Sequence, residues 1–186
     1  MCIRDRNVAN LVTYLRLLLI PAVIACYFAR FPYANLWAAI LFGIASLSDW
    51  LDGYLARKYE WTSEFGAFLD PVADKLLVVI ILIMLVSVYP ILIVATGIII
   101  AREILISALR EWMASKGKRN VVAVAYLGKV KTTVQMVAII ALLLFNEESA
   151  QLVWQVGFYG IHIAVLISVY SMALYFNNAW SSLQED

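Results

Sequence analysis

Six mostly apolar stretches, each close to the roughly 20 residues that a bilayer-crossing helix needs, dominate this chain. They fall near 8–29, 34–56, 67–88, 91–113, 126–145 and 152–176. Backbone in hydrocarbon must satisfy its own polar groups, so runs of this length predict helices and exclude an open sheet. The chain is 64% hydrophobic and 15% charged, whereas a soluble domain is about 45–50% apolar and about 25% charged. Turns are expected at Phe31-Pro32, Tyr89-Pro90 and Asn146-Glu147-Glu148, with polar connections at 57–66 and 114–125. The predicted fold class is an all-α integral membrane protein of six transmembrane helices.

No linker, low-complexity run or internal repeat divides the chain, so residues 7–178 are expected to form one transmembrane domain, followed by a cytoplasmic tail at 179–186. Residues 1–6 differ in character from the rest of the chain and are read as a remnant outside that domain. A cleaved leader is not expected: Asn10 and Arg16 interrupt the first apolar run, and no A-x-A-like site comes after it. Cys2 and Cys26 are the only cysteines, which argues against a disulfide framework or a zinc site.

Basic residues are distributed unevenly across this topology. Arg4, Arg6, Arg16, Arg57, Lys58, Lys75, Arg102, Arg110, Lys116, Lys118, Arg119, Lys129 and Lys131 fall toward one face, and only Arg30 lies on the other. The positive-inside rule makes the crowded face cytoplasmic and puts both termini there. No nucleic-acid partner is expected.

The same face carries Asp49, Asp52, Asp70 and Asp74, in the pattern D-x2-D-G-x2-A-R-x8-G-x3-D-x3-D. Each carboxylate inside a membrane-spanning segment costs ~2.5–3.5 kcal/mol on insertion scales, so four together demand compensation. Hard carboxylate oxygens suit Mg²⁺, Mn²⁺ or Ca²⁺. Spacings of three and four put each pair on one helical face, and two antiparallel helices joined by a short loop can gather all four. That arrangement can hold two metal ions, as two-metal phosphoryl-transfer sites do. Gly53, Ala56 and Gly66 remove bulk beside the carboxylates, and Arg57 offers a planar fork for phosphate oxygens. Pro71 is tolerable if the third helix starts near Asp70. Solvated acidic residues at a helix end would explain any one aspartate, but not the whole pattern. A cation transporter also clusters carboxylates, yet such sites sit near the midplane on broken helices.

The stretch Asp49–Asp74 resembles the signature of the CDP-alcohol phosphotransferase family without a departure. The resemblance implies a six-helix membrane enzyme that moves a substituted phosphate from a CDP-alcohol to a second alcohol and releases CMP. It implies a polar active-site cavity facing the cytoplasm, with two divalent cations, Mg²⁺ or Mn²⁺, held by Asp49, Asp52, Asp70 and Asp74. It further implies that Gly53, Ala56, Arg57 and Gly66 border the cytidine diphosphate, that Asp74 is the catalytic base, and that the protein is a homodimer.

Acceptor choice lies outside the signature. Glu103, Ser107 and Arg110 share a helical stripe, while Arg102 points elsewhere and needs an acidic or phosphate partner. Lys129 and Lys131 open the fifth helix, where free N–H groups and basic side chains favour an anion. Arg110, Lys129, Lys131 and Arg102 are therefore candidates for binding an acceptor's phosphate. Lys131 is the weaker lysine, since two residues turn a helix by about 200°. The run at 116–119 is read as topological. The segments Ala101-Arg-Glu-Ile, Ser107-Ala-Leu-Arg-Glu-Trp-Met, Gly117-Lys-Arg, Gly128-Lys-Val-Lys-Thr-Thr-Val-Gln and Asn10-Leu-Val-Thr-Tyr-Leu-Arg resemble one bacterial branch of the family. Its members pass a phosphatidyl group from CDP-diacylglycerol to glycerol 3-phosphate in the cytoplasmic membrane. Thr13 and Arg16 are candidate lipid-headgroup contacts. The alternative is a family member with a serine, inositol-phosphate or phosphatidylglycerol acceptor.

The remaining polar and aromatic residues have plainer readings. His162 is expected to be packed or hydrogen-bonded within the sixth helix. The six tryptophans are read as interfacial anchors. Glu147 and Glu148 are expected to solvate an outer turn, and Met84, Met113, Met136 and Met172 to pack.

Overall fold

The structure is a computed structural model of the 186-residue chain. It describes residues 3–29, 31–59, 64–116, 125–146 and 150–184, with side chains at 15–29, 31–48, 72–73, 75–116, 128–146 and 150–180. The helices are α1 (Ile3–Phe28), α2 (Ala34–Tyr59), α3 (Glu64–Val88), α4 (Ile93–Ser115), α5 (Ala125–Leu144) and α6 (Gln151–Gln184). A 3₁₀ turn, Pro90–Leu92, joins α3 to α4. Among the described residues there is no strand.

The two expected turns at proline form where it interrupts the apolar runs, while Glu147 and Glu148 of the third lie outside the described residues. Tyr89, restricted by the proline after it, leaves helical geometry at φ −122° and ψ 79° and ends α3. Tyr33, just after Pro32, takes a left-handed φ of 65°, which turns the chain sharply into α2. Three boundaries differ from the sequence expectation. Helix α3 begins at Glu64, so Pro71 lies inside it, where the helix continues without one N–H bond. Helix α1 reaches back to Ile3 and makes residues 3–6 continuous with the first span. Helix α6 runs 34 residues to Gln184, so most of the expected tail is helical.

Helix α1 packs on α2 and α3, α2 on α5, α5 on α6, α6 on α4, and α4 on α3. The contacts close a ring in the order α1–α2–α5–α6–α4–α3, and α3 also touches α5 across it. Small residues allow a close approach between α5 and α6. A Cβ at Gly157 would lie 2.7 Å from the Leu142 side chain, and one at Gly160 would lie 2.7 Å from Ala138 Cβ.

The end of the bundle away from the aspartate motif is closed by aromatic rings. Tyr89 and Phe145 lie 4.9 and 5.3 Å, centroid to centroid, from Trp154, and Tyr27 Oη meets Tyr89 Oη at 3.4 Å. Asn35 Nδ2 donates to the Phe145 carbonyl at 2.9 Å, satisfying backbone just past the end of α5. The interior is filled by Phe42, Ile81, Leu85, Ile99, Ile139 and Leu142.

The outer surface is apolar as well: Leu18, Ile44, Ile83, Val94, Ile104 and Leu166 are all exposed. Helices apolar on every side belong in a large core or a membrane. Two described stretches, Pro90–Ser115 and Gln151–Trp180, are long and apolar enough to cross a bilayer, with mean hydropathies of 2.2 and 1.8.

Candidate active site

Helix α2 runs unbroken through Asp49, Asp52, Gly53, Ala56 and Arg57, and α3 through Gly66, Asp70 and Asp74. The side chains of these eight residues, and that of Thr13, lie outside the described residues. Continuous helix keeps Asp49 and Asp52 one turn apart, and Asp70 and Asp74 likewise. The described neighbours fix the level of both turns in the ring. On α2, one turn before Asp49, Ser46 Oγ donates to the Phe42 carbonyl at 2.9 Å and meets Met136 Sδ of α5 at 3.5 Å. On α3, Lys75 directly follows Asp74 and its ammonium donates to Ser107 Oγ of α4. The motif is thus tied to α5 on one side and to α4 on the other.

Between α3, α4 and α5, beginning at Lys75, lies a cavity of about 270 Å³. Val78, Val79, Ile99, Ile100 and Met136 give it apolar walls. Lys75, Glu103, Lys131, Thr132 and Gln135 supply its polar groups.

Lys131 of this wall is buried, at 2% exposure, and so is Arg102, which lies outside the lining, at 5%. Buried charge is tolerated only when paired, and both use the same oxygen. Glu103 Oε2 accepts from Lys131 Nζ at 2.8 Å and from Arg102 Nη1 at 2.8 Å. Arg102 Nη2 also donates to Ser171 Oγ of α6 at 3.3 Å, so Glu103 and Arg102 together link α4, α5 and α6. The acidic partner that Arg102 required is its own neighbour in sequence.

The four acceptor-phosphate candidates therefore divide. Arg102 and Lys131 form an inner pair matched by Glu103, whereas Arg110 and Lys129 are exposed. Arg110 Nη2 donates to Tyr175 Oη at 2.7 Å, with its guanidinium 5.1 Å from the centre of the same ring. That contact aims a bidentate group while leaving it accessible. Lys129 and Lys131 do point apart, and the one lining the cavity is Lys131, which sequence spacing ranks lower. The stripe of Glu103, Ser107 and Arg110 survives as Glu103 on Lys131, Ser107 under Lys75 and Arg110 on Tyr175. Arg16 of α1 is 2% exposed, inside the bundle.

Three polar residues of the cavity, Lys75, Thr132 and Gln135, are not singled out by sequence reasoning. Lys75 counts there only toward topology, although an ammonium beside the last aspartate of the motif is itself a signal. Gln135, a single amide in an apolar run, gives less warning. His162 has the plain role expected of it: Nδ1 is 2.7 Å from the Phe158 carbonyl, and the two rings lie 4.4 Å apart.

Among the described residues no three acidic, histidine or cysteine side chains form a metal-binding group. The motif aspartates are not among those side chains. Four hard carboxylates in two one-turn pairs, on helices that stay continuous through them, are a donor set that fits Mg²⁺ or Mn²⁺.

The chain matches the CDP-alcohol phosphatidyltransferase family over residues 6–175. It is 44% identical, over 181 residues, to the CDP-diacylglycerol–glycerol-3-phosphate 3-phosphatidyltransferase of Pectobacterium atrosepticum, covering 96% of this chain and 98% of that protein. The enzyme of the same name from Yersinia enterocolitica is 42% identical over the same shares. That from Wigglesworthia glossinidia brevipalpis is 40% identical over 179 residues, covering 95% of this chain and 97% of the relative.

Proposed function

This chain belongs to the CDP-alcohol phosphatidyltransferase family, and from that membership we propose that it transfers the phosphatidyl group of CDP-diacylglycerol to glycerol 3-phosphate. The products are phosphatidylglycerophosphate and CMP. The observation that carries this reading is similarity over nearly the whole length of enzymes named for that reaction, through the acceptor-side segments as well as the aspartate motif. In this reading all six helices span a bacterial cytoplasmic membrane, with the motif and both termini at the cytoplasmic face, and the protein is a homodimer. Apolar exposed faces and the one-sided basic residues support that placement.

The roles of the residues rest on their chemistry. Asp49, Asp52, Asp70 and Asp74 would hold two divalent cations, Mg²⁺ or Mn²⁺, which when bound supply charge neutralisation for the pyrophosphate. Gly53, Ala56 and Gly66 let the cytidine diphosphate approach the backbone, and Arg57 pairs with its phosphate oxygens. Thr13 and Arg16 contribute from α1 toward the lipid headgroup. Arg110 and Lys129 receive the acceptor's phosphate, with Lys131 and Arg102 adding positive potential from behind. Asp74 takes the proton of the acceptor's primary hydroxyl. The hydroxyl oxygen bonds to the phosphorus that carries diacylglycerol, the bond from that phosphorus to CMP breaks, and its electron pair leaves with CMP.

The test is CMP release by purified, detergent-solubilised protein given CDP-diacylglycerol, with and without glycerol 3-phosphate, after EDTA and then with Mg²⁺ or Mn²⁺ restored. Release is expected only with both the acceptor and a metal present. Asp74→Asn is expected to lose turnover while still binding CDP-diacylglycerol. Equal release with serine or inositol phosphate would overturn the acceptor assignment, and undiminished release in EDTA would overturn the metal assignment.

A further inference from the structure

Among the polar side chains that line the cavity, all but one have a partner for the groups they turn inward. Lys75 Nζ bonds Ser107 Oγ, and Glu103 Oε2 receives both Lys131 and Arg102. Thr132 Oγ1 donates to its own helix, at 2.9 Å to the Lys129 carbonyl and 3.1 Å to that of Gly128. Gln135 is different. It is 3% exposed and lines the cavity, yet its Oε1 has no hydrogen-bond partner among the described residues. A buried amide oxygen without a donor is rare in native structures and marks a place where something else supplies one. An amide oxygen only accepts, so the missing partner must bring an O–H or N–H, which a phosphate ester oxygen does not.

The position of Gln135 narrows the partner further. It lies one turn along α5 from Lys131, and the cavity begins at Lys75, the residue after Asp74. A group entering this cavity is therefore close to the reacting hydroxyl. At about 270 Å³ the space falls below the roughly 300–1,000 Å³ of sites for drug-sized ligands, and it suits a short polyol segment.

We infer that Gln135 is a specificity-determining residue that accepts a hydrogen bond from the secondary hydroxyl of the acceptor, and so selects a vicinal diol phosphate over a simple hydroxyalkyl phosphate. This rests on the phosphatidyl transfer proposed above. The hydroxyl beside the attacking one enters the cavity and donates to Gln135 Oε1. An acceptor lacking that hydroxyl leaves a buried polar atom unpaired, the circumstance in which sites discriminate most strongly.

The experiment compares sn-glycerol 3-phosphate with 3-hydroxypropyl phosphate, which keeps the primary hydroxyl and the phosphate but lacks the middle hydroxyl. For the native protein kcat/KM is expected to favour glycerol 3-phosphate by about a hundredfold or more, with roughly 10⁴–10⁵ as the reach of the strictest hydroxyl-reading sites. In Gln135→Leu that preference is expected to fall at least about tenfold, through loss of activity on glycerol 3-phosphate, with the KM for CDP-diacylglycerol unchanged. Gln135→Glu, which keeps an acceptor oxygen, is expected to retain the preference. Native protein using both acceptors within about threefold would overturn the inference without any variant, as would a full preference in Gln135→Leu. Absence of CMP release with either acceptor would instead overturn the transfer reaction itself.

Discussion

Glu103 shows how far a single residue can be read from sequence and where that reading stops. An arginine in an apolar helix announces a need for a partner, and that much was legible. The choice of the adjacent glutamate, shared with a lysine 28 positions away on another helix, depends on how α4 and α5 face each other. Lys75 on Ser107, 32 positions apart, was hidden for the same reason. The aspartate motif was legible because its spacing is local to two helices. The triad has a measurable signature. Glu103→Gln leaves two buried cations without their anion and is expected to cost about 3–5 kcal/mol, whereas Lys131→Met leaves Arg102 matched and is expected to cost less. Thermal unfolding in detergent measures both, and a larger loss for Lys131→Met would show that Glu103 is not the keystone of the network.

Among the elements, helix existence was written in the length of the apolar runs, and helix ends were not. Residues 64–66 belong to the expected polar connection, yet α3 begins at Glu64 and runs through Pro71. Residues after 176 lose their apolar character, yet α6 continues to Gln184, since a helix can extend past the length a bilayer covers. Pairing was less legible still, because a helix apolar on both its packed and its exposed sides gives little periodicity to read. Glycines carry part of that missing information. At Gly160 a Cβ would press on Ala138, whereas at Gly97 nothing lies within 4 Å. Gly160→Val is expected to cost about 1–3 kcal/mol by overpacking. Gly97→Ala in α4 is expected to be neutral or to stabilise by up to ~1 kcal/mol through helix propensity. Unfolding midpoints of the two variants check both, and equal effects would mean that α5 and α6 do not approach as closely as described.

At the scale of the whole molecule, the proposed orientation is directly measurable. Ile91, in the 3₁₀ turn, is 64% exposed at the aromatic end, and Lys116 is exposed just beyond α4 at the motif end. In a chain with Cys2 and Cys26 replaced by serine, Ile91→Cys is expected to react with a membrane-impermeant thiol reagent added to intact cells. Lys116→Cys is expected to react only after the membrane is opened. The reverse pattern would invert the topology and put the motif on the wrong side for cytoplasmic substrates. The single-span features behind this orientation were legible in the sequence, but the ring order was not, since it joins helices distant along the chain.

That ring order also has a consequence in time. Helices leave the ribosome in numerical order, but α2 finds one of its two ring neighbours only when α5 appears, and α4 waits for α6. Lys131 and Gln135 arrive with α5, long after the aspartates of α2 and α3 are in place. A nascent chain therefore carries its complete acidic motif into the membrane before the wall beside it exists. With Lys131 and Gln135 in the roles proposed for them, productive binding of a small acceptor waits for the last third of synthesis, and a partly made chain has the motif without the residues proposed to choose its acceptor.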